Sequence, residues 1–179
     1  MARAVPTLAA TAAAGLFYSG VIERNWFTLR RFEVPVLEPG TPPIRLLHVS
    51  DLHITPPQRR KHAWIRGLAG LRPDLVINTG DTLSAPDGIP AVMRALDPLY
   101  DFPGAFVPGN NDYYVPTPKN PAKYFTKHTP RPKGPQLPWP EMARAMASAG
   151  WLDLTHRRER VTIREVPLAL AGTDDPHLR

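Results

Sequence analysis

Three clusters of oxygen and imidazole donors punctuate the middle of this 179-residue sequence: Ser50-Asp51-Leu52-His53, Asn78-Thr79-Gly80-Asp81 and Gly109-Asn110-Asn111-Asp112. Carboxylate, imidazole and amide oxygen are hard or borderline donors that suit Mn, Fe or Zn ions. Asp51 and His53 are separated by one residue, so beyond a strand end both can face the same point. Asp81 and Asn110 then approach that point from neighbouring strand ends. Two ions a few ångströms apart need a bridging ligand, and a carboxylate at the central strand end, Asp81, is the natural one. Such a pair lowers the pKa of a bound water toward ~7 and clamps both oxygens of an in-line displacement at phosphorus. The chemistry expected is phosphoester hydrolysis by metal-activated hydroxide. Gly80 and Gly109 carry no side chain, which lets the backbone turn sharply beside a metal or a phosphate.

Each cluster follows a short apolar run, and those runs must position it. Ile44 to Val49, Leu75 to Ile77 and Ala105 to Val107 read as strands buried on both faces. Between them, Trp64, Leu68 and Leu71, then Ile89, Val92, Met93 and Leu96, recur at helical spacing. The resulting βαβαβ order predicts an α/β fold with parallel strands, whose ligands gather at the carboxyl ends. Farther on, Met142, Ala145, Met146 and Ala149 mark a helix closed by Gly150, followed by strands at Trp151 to Leu154, Val161 to Arg164 and Leu168 to Ala171. His48 lies inside the first strand and reads as a core residue or a support to the ligands; His62, His128 and His156 read as solvated, and His177 follows a turn signal.

In order and spacing, Asp51-x-His53, Gly80-Asp81 and Gly109-Asn110-Asn111-Asp112 resemble the first three motifs of the calcineurin-like metallophosphoesterases. The likeness covers about Ile44 to Asp112 closely, and Gly172 to His177 is similar to a segment of the family's membrane-associated bacterial branch. The resemblance implies a four-layer α/β/β/α sandwich and two divalent metal ions. It implies that Asp51 and His53 bind the first ion, that Asp81 bridges both and that Asn110 binds the second. The family usually has His where Asn111 stands, protonating the leaving group or steadying the transition state, with the next residue, Asp112, orienting it. An Asn amide donates a hydrogen bond but delivers no proton at neutral pH, so up to the ~10²- to 10⁴-fold typical of general acid catalysis is lost or moved elsewhere. The family's later Gly-His-x-His motif has no counterpart before Arg179. The expected fold is therefore a sandwich incomplete at its carboxyl-terminal side, either truncated or no longer catalytic. A non-catalytic binding module is the alternative from another class, and a nucleotide or nucleic-acid phosphodiesterase the alternative within the same chemistry.

Composition bounds these readings. The chain carries 22 Lys and Arg against 16 Asp and Glu, a net charge of +6 with a pI near 10.0, which favours phosphates or anionic surfaces and says nothing about fold. The absence of Cys excludes disulfide scaffolds, thiolate metal sites and cysteine nucleophiles. The 23 prolines demand extended loops. One such loop spans 113–140, rich in Pro, aromatic residues and cations and free of acids before Glu141. It reads as a lid over the metal crevice, with Lys119, Lys123, Tyr113 and Tyr114 as candidate substrate-binding residues, or as a solvated proline-rich excursion; its cations are too few to indicate nucleic acid. Ala4 to Ile22 holds no charge and reads as an anchor or membrane-surface helix over residues 1–25, joined by a linker, 26–43, to the domain 44–179. An ordinary packed helix and a cleaved signal peptide are the alternatives. Arg24, Arg30 and Arg31 outweigh Arg3, which would leave the domain on the cytoplasmic side. The expected partners are a phosphorylated substrate and an anionic membrane surface.

Overall fold

The computed structural model describes residues 14–117 and 134–175, and the chain divides into two units, Met1–Val36 and Leu37–Arg179. In the first unit, residues 14–17 are α-helical, Tyr18–Ile22 widen into a π turn, and Glu23–Asn25 tighten into a 3₁₀ turn. Asn25 closes this stretch by donating from Nδ2 to the Val21 carbonyl, 2.7 Å away. Leu16, Phe17, Tyr18, Val21, Ile22 and Trp26 are all exposed. No helix among the described residues is long and apolar enough to cross a membrane; residues 1–13 of the expected anchor lie outside them.

The second unit is a mixed α/β fold. Four strands, β1 (Leu46–Val49), β2 (Leu75–Asn78), β3 (Gly104–Phe106) and β4 (Leu152–Asp153), form one parallel sheet in the order β1-β2-β3-β4. Three helices connect them: α1 (Arg59–Gly67), α2 (Ile89–Leu96) and α3 (Trp139–Ser148). The periodic residues of each helix meet alternate residues of the strands. Ile65, Val92, Leu96 and Met146 join Leu47, Val49, Val76 and Phe106 in one core, where a fully buried Leu or Ile contributes about 1.5–3 kcal/mol. Gly150, at φ +102°, ends α3 in the left-handed conformation that glycine adopts without strain. Trp151 then packs so closely against Gly104 that a Cβ there would overlap the indole.

The strands extend or shrink by a few residues from their expected bounds, and two placements differ. The strand expected at Trp151–Leu154 shortens to β4, because Trp151 turns into the helix-side core, and it pairs with β3 in the first sheet. The next two strands, β5 (Arg158–Ile163) and β6 (Val166–Ala171), form a separate antiparallel hairpin. Its two-residue turn, Arg164-Glu165 at φ +49° and +67°, has the left-handed pair that matches strand twist. Leu75, Ala105, Leu154 and Ile163 are buried outside the helix-side core, so the sheet is partly covered on its second face. On β1 that face stays open: Leu46 is 53% exposed, and His48, expected in the core or behind the ligands, is exposed and bonds Thr79 Oγ1 at 2.8 Å. Strand alternation explains this, since Leu47 and Val49 take the core side. The loop expected over 113–140 ends earlier, as α3 starts at Trp139 with Pro140 in its first turn, where a missing N–H is harmless. A bridge between Tyr114 and Gln136 closes the loop's base.

Candidate metal centre

The parallel register does not stop where the strands end. The Asp51 N–H donates to the Gly80 carbonyl at 3.1 Å, that of His53 to Asp81 at 2.8 Å and that of Ile54 to Thr82 at 2.8 Å. Two loops thus run side by side beyond β1 and β2, placing Asp51 and His53 against Asp81. All three residues have left-handed backbones, with φ of +55°, +43° and +55°, a region that Asp and His visit more readily than most residues but still at a cost. The third loop closes in through its glycines. A Cβ on Gly109 would collide with Asp81 and one on Gly80 with Gly109, so bare backbone at both positions is what allows the approach. Behind them, buried Asn78 accepts from the Gly80 N–H at 3.0 Å and bonds Thr82, bracing the middle loop.

One ligand atom from each of Asp51, His53 and Asp81 lies within 4.8 Å of the others, the one such group of His, Cys or acidic residues among the described residues. Donors about 2.1 Å from a shared ion stand up to ~4.2 Å apart, so a movement of about 0.6 Å or less brings this set to that span, and it fits a divalent ion. His53 turns Nε2 toward Asp81 Oδ2, 3.7 Å away, while Nδ1 bonds Ser84 Oγ at 3.0 Å. Ser50 donates to Asp51 Oδ2 at 2.6 Å. Asn111 holds both oxygens of Asp81, from its backbone N–H to Oδ1 at 2.9 Å and from Nδ2 to Oδ2 at 2.6 Å. Asn110 Oδ1 is 3.4 Å from the same Nδ2.

Asp112 is fully buried and works on the backbone. Its oxygens accept the N–H groups of Thr82 and Leu83, each at 2.7 Å, and of Gly109 at 2.9 Å, tying the second loop to the third. Burial raises its pKa, and the three N–H donors oppose that rise. These bonds go to the backbone and not to the Asn111 side chain that Asp112 was expected to orient; Asp81 holds that side chain instead.

Residues 44–164 match the family model of the calcineurin-like phosphoesterases. The chain belongs to this family. No curated protein matches it. Calcineurin-like phosphoesterases are metal-dependent hydrolases of phosphoesters, and the Asp51, His53, Asp81 group is a candidate site for the divalent metals they bind. Of the candidate substrate-binding residues in this calcineurin-like phosphoesterase, Lys119 and Lys123 lie outside the described residues. Tyr113 donates to Asp174 and leans on Trp139, with ring centroids 4.8 Å apart; burial and Asp174 raise its pKa. Tyr114 is half-buried in the loop's base. Nothing in residue type or spacing marks Ser84. It follows Asp81 by three residues, and only the continued pairing of Ile54 with Leu83 brings it to the His53 ring.

Proposed function

We propose that this calcineurin-like phosphoesterase hydrolyses a phosphoester at the Asp51, His53, Asp81 centre, with Asn110 completing the ligand set for a pair of divalent ions. The observation that carries the reading is the gathering of three donors within 4.8 Å on left-handed loops, since strain of that kind persists at sites where function requires it. Divalent ions bound there would activate water at neutral pH and polarise the phosphoryl oxygens. The chain's own residues hold and orient. Ser84 Oγ can accept from a proton on His53 Nδ1, the tautomer that leaves the Nε2 lone pair free for a metal, as outer partners of metal-binding histidines do. Asn111 fixes the rotation of the Asp81 carboxylate, and Asp112 locks the two loops that carry them. Asn111 delivers no proton to a departing group, and its side-chain amide is turned to Asp81, so esters with good leaving groups suit the site best. The exposed apolar residues of the first unit and the net charge of +6 support a lipid-linked or membrane-proximal phosphate as substrate and attachment to an anionic membrane on the cytoplasmic side, as in the family's membrane-associated branch.

A second reading, a binding module that keeps the fold without catalysis, is favoured by Asn111, which delivers no proton. Mn²⁺ titration by calorimetry, paired with hydrolysis of an aryl phosphodiester, separates the two. Mn²⁺ binding with turnover, both abolished in Asp81→Asn, is the expected outcome. Mn²⁺ binding without turnover of any aryl mono- or diester establishes the module, and a chain that takes up no Mn²⁺ refutes both the centre and the proposal.

A further inference from the structure

A second polar site lies at the opposite end of the sheet, where β1 and β2 begin. A cleft of about 280 Å³ is lined by Pro43, Ile44, Arg45, Arg72, Asp74 and Arg164. Three arginines and one aspartate make up its charged lining, and the carboxylate is already engaged: Asp74 Oδ2 accepts the Arg45 backbone N–H at 2.7 Å and lies 3.7 Å from Arg164 Nη1. The lining therefore holds a surplus of two positive charges. Two of its arginines are pinned by backbone carbonyls. Arg45 Nη1 donates to the Leu71 carbonyl at 2.6 Å and Arg164 Nη1 to the Pro43 carbonyl at 3.3 Å, each leaving most of its five N–H donors unspent. Arg72, left-handed at φ +49°, has no side-chain partner among the described residues.

We infer that this cleft binds a phosphoryl dianion, a site separate from the metal centre and independent of the hydrolytic reading. Guanidinium forks match the oxygens of phosphate and carboxylate alike. The charge decides between them, because a phosphate monoester carries close to two negative charges at neutral pH and balances the surplus, whereas a carboxylate carries one. The volume sits just under the ~300–1,000 Å³ of drug-sized ligand sites and has room for inorganic phosphate or a phosphomonoester headgroup. Free phosphate and the headgroup of a lipid such as phosphatidic acid present the same chemistry.

The test uses the full chain, metal-stripped over a chelating resin, at constant ionic strength. Titrating inorganic phosphate into ¹⁵N-labelled protein is expected to shift the amides of Ile44, Arg45, Arg72, Asp74 and Arg164, to shift them much less with acetate, and to weaken ~10-fold in Arg72→Gln, the loss of a charged hydrogen bond. The Arg72 side chain has no partner among the described residues, so this variant is expected to keep the fold; unchanged thermal unfolding checks that. Sedimentation with phosphatidylcholine vesicles, with and without phosphatidic acid, distinguishes the sources. A phosphatidic-acid increment lost in Arg72→Gln assigns the headgroup, and phosphate shifts without that increment assign the free ion. Amide shifts confined to the loops of the metal centre, equal response to acetate, or binding indifferent to Arg72→Gln together with no vesicle increment would each overturn the inference. Because no metal is present, none of these outcomes depends on the hydrolytic activity.

Discussion

His53 can offer Nε2 to a metal because Ser84 occupies its other ring nitrogen. Removing that hydroxyl leaves the ligand in place but frees its ring to rotate and its proton to move. Ser84→Ala is expected to weaken Mn²⁺ binding by ~10- to 100-fold, the usual effect of losing an outer partner, measured by calorimetry against an unchanged melting temperature. Asn111 makes the opposite kind of statement. Restoring a proton donor with Asn111→His is expected to speed hydrolysis of alkyl phosphoesters by up to ~10²-fold and leave nitrophenyl esters, which need no protonation, nearly unchanged; equal rates for both would remove Asn111 from the leaving-group side. At this scale the sequence was informative wherever chemistry resides in residue type, as with Asp51, His53 and Asp81. Ser84 and the true partners of Asp112 were hidden, since their roles arise from which backbone groups two adjacent loops bring together, and no residue type encodes that.

The three loops behave as a single element, held by parallel pairing between the first two and by Asp112 between the second and third. Gly109 is the point of closest approach. A methyl group there would meet the Asp81 backbone nitrogen at 2.5 Å, and neither side can yield without moving a loop. Gly109→Ala is expected to lower stability by about 1–3 kcal/mol and to reduce Mn²⁺ affinity at least ~10-fold, read by denaturant unfolding and calorimetry. Gly70→Ala, which faces open space, serves as the neutral control. The helices and first three strands were legible because their apolar spacing is clear. The placement of β4 was not. Trp151 and Leu154 both read as strand residues, yet the room left by Gly104 draws the indole into the core and cuts the strand to two residues. The length of the β5–β6 hairpin was also underestimated, because Arg158, Glu159 and Arg160 look like loop residues until pairing with Leu170 and its neighbours fixes them in a strand.

As a whole the molecule joins a phosphoesterase domain to an amino-terminal unit whose apolar side chains are exposed. If those side chains enter a bilayer surface, charging them should release the protein. Phe17→Asp with Val21→Asp is expected to cut sedimentation with anionic vesicles by ~10-fold or more, each buried apolar side chain being worth about 1.5–3 kcal/mol, without altering hydrolysis of a soluble aryl ester. Undiminished sedimentation would detach the first unit from any membrane role. The left-handed backbones at 51, 53 and 81 have a further consequence. Glycine occupies such backbones more cheaply than the residues now there. A lineage propagated only for soluble expression would therefore drift toward glycine at those three positions, becoming hardier as it lost the donors of the candidate metal centre.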